Sequence, residues 1–160
     1  MADVIELRIE SIGAQGDGIG SHEGMPAFVP GTAPGDLVKA TIKEIRKNGL
    51  SCELVELVEP SAERADPPCK HFGKCGGCQL QFLGDETYKA WIRDRAAMAL
   101  AHHGFSADLV VEPVVSAQKS RRRVALKALA LPGRTLLGFN ERQSHNIVDV
   151  AECPVTHTDI

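Results

Sequence analysis

Three cysteines within ten residues constrain this chain more than any other feature. They stand in Cys69-Lys70-His71-Phe72-Gly73-Lys74-Cys75-Gly76-Gly77-Cys78, a C-x5-C-x2-C pattern. Thiolates this close in sequence converge on one centre only if the backbone turns tightly around it. Gly73, Gly76 and Gly77 permit such a turn, because they reach conformations closed to residues with a Cβ. A tetrahedral donor set needs a fourth member, and Cys153, followed by Pro154, is the candidate. The separation of 74 residues between Cys78 and Cys153 would tie the end of the chain to its middle.

Met1-Ala2-Asp3-Val4 lacks the basic-then-apolar build of a signal peptide, and no apolar run approaches the roughly 18 residues of a membrane span. A cytoplasmic location with no membrane partner is therefore expected, and there thiols stay reduced. Five cysteines in that setting point to metal binding or catalysis before disulfides. A Cys-Pro ending is frequent in iron–sulfur ligand sets. Four-cysteine zinc sites usually pair two C-x2-4-C knuckles, a spacing found here only at Cys75–Cys78. Spacing thus favours iron–sulfur over zinc, with small buried thiols without metal as the least favoured alternative. Cys52 falls in an expected strand and reads as a core residue. His71 reads as a loop residue, with substitution for a missing ligand as its other possible role.

The first 60 residues read as strands. Ile5, Leu7 and Ile9 alternate with Glu6, Arg8 and Glu10, the period of a half-buried strand. Asp17-Gly18, Pro30-Gly31, Pro34-Gly35-Asp36 and Lys47-Asn48-Gly49 are turn signals between further runs at 25–29, 38–42 and 50–58. Several short strands with Gly/Pro turns suggest a small closed barrel of OB-like type. Residues 59–68 carry three prolines and almost no apolar side chains, and the domain boundary is expected there. The division is then a barrel at 1–59, a linker at 60–68 and a small α+β domain at 69–160, in a chain that is mainly β with α.

A helix is expected beyond the cysteines. Asp85 would be its N-cap, Tyr88, Trp91, Ile92, Ala96 and Ala99 its inner face, and Gly104 its stop. Strands are expected at 110–115, 124–131, 136–139 and 147–150. Charge is uneven: residues 1–60 hold 5 Lys/Arg against 10 Asp/Glu, and residues 61–160 hold 13 against 11. A general polyanion binder would be more basic, so any nucleic-acid contact must be local. Lys119, Arg121, Arg122, Arg123 and Lys127 form the densest basic patch. By itself that patch reads equally as a solvated surface or as a phosphate contact. Lys39, Lys43, Arg46 and Lys47 are weaker candidates, as are Phe28 and Phe72 for stacking on bases.

Residues 13–20, Ala27-Phe28-Val29-Pro30-Gly31 and Pro34-Gly35-Asp36 resemble a TRAM domain, an OB-like RNA-binding barrel that opens many bacterial RNA uracil-5-methyltransferases. Pro60-Ser61, Arg64, Pro68-Cys69, His71-Phe72-Gly73 and Cys75-Gly76-Gly77-Cys78-Gln79-Leu80-Gln81 are similar to the signature of those enzymes. Gly138-Phe139-Asn140-Glu141-Arg142, Ser144-His145, Ile147-Val148-Asp149 and Cys153-Pro154-Val155 resemble their central domain. The resemblance implies that Cys69, Cys75, Cys78 and Cys153 ligate a [4Fe-4S] cluster. It also implies that Lys119, Arg121, Arg122, Arg123 and Lys43 contact RNA, ribosomal RNA before tRNA, in a protein acting as a monomer. One departure is Ser120-Arg121-Arg122-Arg123, which lacks the family's leading aromatic.

The chemistry implied by the resemblance is attack of a cysteine thiolate on C6 of a uracil, methyl transfer from S-adenosylmethionine to C5, and removal of the C5 proton by a base. The S-adenosylmethionine site and the reacting groups are expected in a further domain beyond Ile160, so the 160 residues alone are expected to be inactive. Gly16-Asp17-Gly18-Ile19-Gly20 is no substitute, because it lacks the dinucleotide-binding spacing and precedes no helical pattern. The rival readings are a zinc- or cluster-containing RNA-binding module without enzymatic activity and a ferredoxin-like electron carrier. A radical methylthiotransferase is excluded, because its C-x3-C-x2-C site does not fit Cys69 and Cys75.

Overall fold

The alternation of Ile5, Leu7 and Ile9 places all three inside a closed five-stranded barrel in the computed structural model, which describes residues 3–160. Strand β1 (Val4–Ile12) pairs antiparallel with β2 (Gly18–His22) and with β4 (Leu37–Arg46). β2 pairs with β3 (Met25–Val29), and β4 pairs with β5 (Gly49–Glu59). The parallel pairing of β3 with β5 closes the ring through Ala27 opposite Leu50, giving the order β1-β2-β3-β5-β4. Its interior is Ile5, Leu7, Ile9, Ala27, Val29, Val38, Ala40, Leu50 and Cys52, so the lone thiol of β5 is a core side chain.

Turn chemistry agrees with the sequence at Lys47-Asn48-Gly49, where Arg46 faces Gly49 across the hairpin. It differs at Asp17-Gly18. The turn lies one step earlier, with Gly16 N–H donating to Gly13 O, and Gly18 already belongs to β2. Gly18 is small for a packing reason, since a Cβ there would overlap the Thr32 hydroxyl inside the barrel.

Helix α1 (Asp85–His102) has Gly84, not Asp85, at its N-cap position and no side-chain cap. It ends as the sequence indicates. Gly104 takes φ +81°, its N–H donates to Ala101 O, and Phe105 N–H donates to Leu100 O, so two terminal carbonyls are satisfied. Tyr88, Trp91 and Ile92 are half-buried, whereas Ala96 and Ala99 are exposed. Trp91 Nε1–H donates to Gly13 O at 3.1 Å, fastening the helix to the turn after β1. The apolar run at 110–115 forms no strand; it finds no ladder partner, and Val114 is 99% exposed. Strands β6 (Lys127–Leu131), β7 (Arg134–Asn140) and β8 (Ile147–Asp149) make a separate antiparallel sheet. Among the described residues no helix is long and apolar enough to cross a membrane.

The chain forms two compact units. One contains the residues through Asp66 together with Phe82–Pro113, and the other contains Pro67–Gln81 with Val114–Ile160. Helix α1 therefore groups with the barrel, and each unit is built from two stretches of chain. The proline-containing segment after β5 is held to the barrel by one carboxylate. Asp36, fully buried, accepts from Ala33 N–H (2.7 Å), Ser61 N–H (2.8 Å) and Arg64 Nη1 (2.6 Å). Arg64 also lies over the buried Phe82 ring at 4.9 Å, and Gly84 N–H donates to Glu63 O, which returns the chain to the barrel before α1 begins.

Candidate metal centre

Local turns arrange the first three cysteines. Phe72 N–H donates to Cys69 O, Cys75 N–H donates to His71 O, and Gly73 sits at φ +85° between them. The loop is then pinned to the end of β7. Gly76 N–H donates to Asn140 O at 2.8 Å, Arg142 N–H donates to Lys74 O at 3.1 Å, and Lys74 lies 3.5 Å from Glu141. Glu141 carries a lowered pKa, chiefly from its hydrogen bond with Asn146 and also from Lys74. A Cβ at Gly76 would stand 3.0 Å from Asn140 O, so a larger residue there would require the end of β7 to give by a few tenths of an ångström.

Cys153 arrives from the loop after β8. Its carbonyl accepts from both the N–H and the hydroxyl of Thr156. The segment beyond it is stitched to residues 119–121: Lys119 N–H donates to Pro154 O, Arg121 N–H to Val155 O, and His157 N–H to Arg121 O.

The result is a single cavity lined by Cys69, Cys75, Cys78 and Cys153, with Phe139 among its walls. All four are free thiols. Burial raises the Cys78 pKa, opposed by a hydrogen bond with Gln81 and reinforced by the charges of the other three cysteines. Gly77 N–H donates to Cys75 Sγ at 3.4 Å. Two polar atoms on residues of this cavity, His71 Nε2 and Gln81 Oε1, are buried without a hydrogen-bond partner. Among the described residues, no three His, Cys, Asp or Glu side chains draw close enough to grip a single ion. A metal group held here would therefore use the four thiols from the walls of the cavity.

The basic residues divide into two kinds. In the barrel Lys43 pairs with Glu53 at 2.5 Å, Lys39 with Glu56 at 2.8 Å and Arg46 with Glu44 at 2.7 Å, each pair exposed. Lys119, Arg122 and Arg123 are exposed and have no carboxylate partner among the described ion pairs. Arg121 differs from its neighbours in contributing to the wall of the thiol cavity, a position its sequence run did not reveal. No strand forms at 119–126, and Arg121 makes only an isolated parallel bridge with Thr156. Phe28 is half-buried in β3, and Phe72 is half-buried on the cavity wall.

The TRAM domain family matches residues 2–55, which is the barrel up to the middle of β5. A protein of Caulobacter vibrioides named as an uncharacterized RNA methyltransferase is 44% identical over 94% of this chain, which spans 36% of that relative. A similarly named protein of Brucella suis is 40% identical over 97% of the chain, again 36% of the relative. The chain is similar over nearly its whole length to proteins named as RNA methyltransferases, and its residues 2–55 match the TRAM domain family. The 23S rRNA (uracil(1939)-C(5))-methyltransferase RlmD of Alkalilimnicola ehrlichii is 34% identical over 94% of the chain, and 35% of that enzyme is covered. The chain thus spans about a third of the length of the relatives it matches. In each of these matches the aligned region runs well past the TRAM barrel, so the thiol-bearing unit shares in the likeness.

Proposed function

We propose that this chain is the RNA-holding and [4Fe-4S]-holding portion of an S-adenosylmethionine-dependent RNA (uracil-5-)-methyltransferase, acting on 23S-type ribosomal RNA to make 5-methyluridine. The observation that carries the proposal is the gathering of four free thiols around one cavity in a chain similar to proteins named as RNA methyltransferases. Cys69, Cys75, Cys78 and Cys153 are the ligands. A single zinc draws its four thiolates to about 2.3 Å from one point. A four-iron cluster carries each thiolate on a different iron and so suits donors spread around a wall. With all four irons capped by cysteine, the cluster offers no open position to substrate, and its contribution is structural. The preference for ribosomal RNA rests on the likeness to RlmD.

This chain's own residues bind and orient. The TRAM barrel and the patch of Lys119, Arg122 and Arg123 hold RNA by its phosphates, while methyl transfer belongs to residues of the longer protein. The isolated 160 residues are expected to bind RNA without methylating it. Iron, acid-labile sulfide and zinc measured on anaerobically purified chain test the metal reading. Four irons and four sulfides per chain support it, whereas one zinc and no visible colour would replace it by a zinc-containing RNA-binding module.

RNA contact has its own test. Arg123→Ala is expected to reduce the slope of log affinity against log salt by about 1, because one fewer phosphate is neutralised. Lys43→Ala should change the slope by less than half of that, since Glu53 already balances Lys43. Titrations of ribosomal RNA fragments at several potassium chloride concentrations measure both. Equal slopes for the wild type and Arg123→Ala would remove Arg123 from the interface.

A further inference from the structure

A buried polar atom without a partner is costly, and in a folded protein it calls for a further component that satisfies it. His71 Nε2 is such an atom, and His71 lines the four-thiol cavity. His71 stands in the turn between Cys69 and Cys75, with its backbone carbonyl accepting from Lys74 N–H (3.2 Å) and Cys75 N–H (2.8 Å). These bonds fix where the ring starts without using either ring nitrogen. Arg121 and Thr156 also bring donors to the cavity lining, but neither holds a buried polar atom left without a partner. Phe72, Phe139, Val150 and Val155 are apolar, and Glu152, 3.6 Å from Lys70, is an acceptor. An occupant rich in sulfide and thiolate sulfur carries excess negative charge and needs donors, and a ring N–H is one.

We propose that His71 donates a hydrogen bond from Nε2 to a sulfur of the group held by Cys69, Cys75, Cys78 and Cys153, and that it positions and stabilises that group without ligating it. Gln81, three residues after Cys78, already has a side-chain hydrogen bond with that cysteine. The inference rests on the cluster reading above. It adds a residue that the cysteine pattern alone does not identify, and a role distinct from that of a fifth ligand.

The test uses the full chain, reconstituted anaerobically with iron and sulfide, in three forms: wild type, His71→Phe and His71→Gln. Glutamine places an N–H at nearly the reach of Nε2, and phenylalanine fills the ring's space without a donor. Expected results are full iron and sulfide in all three, several-fold faster loss of visible absorbance to an iron chelator in His71→Phe, and restoration towards the wild-type rate in His71→Gln. Part of the deuterium sensitivity of the iron–sulfur stretching bands should disappear in His71→Phe alone. The one-electron reduction equilibrium of that variant should shift about tenfold toward the oxidised form, about 59 mV, since a lost donor disfavours the more negative state. A His71→Phe chain with wild-type lability and an unchanged deuterium response would overturn the proposal, as would a glutamine variant that restores nothing. Wild-type chain that takes up no iron would instead sink the cluster reading itself, so the two failures are distinguishable.

Discussion

Arg64→Ala is expected to destabilise the barrel unit by about 3–5 kcal/mol, a large fraction of the roughly 5–15 kcal/mol that holds a domain folded. Asp36 is fully buried, and its two oxygens serve the Ala33 N–H, the Ser61 N–H and the Arg64 guanidinium. Removing the guanidinium leaves a buried carboxylate without its counter-charge and frees the Phe82 ring that Arg64 covers. The exposed pair Arg8–Glu59 is the natural control, and Arg8→Ala should cost about 0–1 kcal/mol, because solvent screens it. Trp91 is the chain's single tryptophan and belongs to the same unit, so urea unfolding followed by its fluorescence reads both variants. Equal midpoints for the two would show that the Asp36–Arg64 pair is no more than a surface contact.

Cys153→Ala carries the second large expectation: the loss of nearly all iron and sulfide together, with loosening of the unit formed by 67–81 and 114–160. The physical reason lies in how little that unit buries. Among the described residues it buries only Gly138, Val148, Pro154 and Thr156, against nine core residues inside the barrel. A core this small does not hold a domain by apolar burial, and small scaffolds are usually stapled by disulfides or metal. Its four cysteines are free thiols, so under the proposed cluster reading the metal group would do the stapling. Amide exchange across β6–β8 in wild-type and Cys153→Ala chains, alongside iron analysis, measures the effect. Protection that survives full loss of iron would show that the sheet stands without the cluster.

The barrel was readable from sequence because its signals are local. The alternation of Ile5, Leu7 and Ile9 and the Lys47-Asn48-Gly49 turn each act over a few residues, and both appear as expected. The segment at 60–68 was not readable in the same way. Its composition is that of a linker, but Ser61 and Arg64 are held by Asp36, more than 20 residues earlier, and nothing local in the sequence announces that pairing. The run at 110–115 failed for the opposite reason: β-branched residues fit a strand, yet a strand also needs a neighbour, and none is supplied. The four thiols were legible by counting and spacing. Arg121 on their cavity wall was not, because its place depends on backbone bonds to Val155 and His157.

The wide spacing of the cysteines also has a meaning in time. Cys69, Cys75 and Cys78 leave the ribosome almost together, whereas Cys153 follows 74 intervening residues later. At synthesis rates of about 5–20 residues per second, the interval is roughly 4–15 s. During it the nascent chain displays three thiols on a glycine-rich turn, with the barrel already emerged and able to fold behind them. Any metal group delivered at that stage would meet three cysteines and keep one corner open, and the arrival of Cys153 would close it. Under the cluster reading, maturation would then be an ordered handover, with the last thiol as its latch.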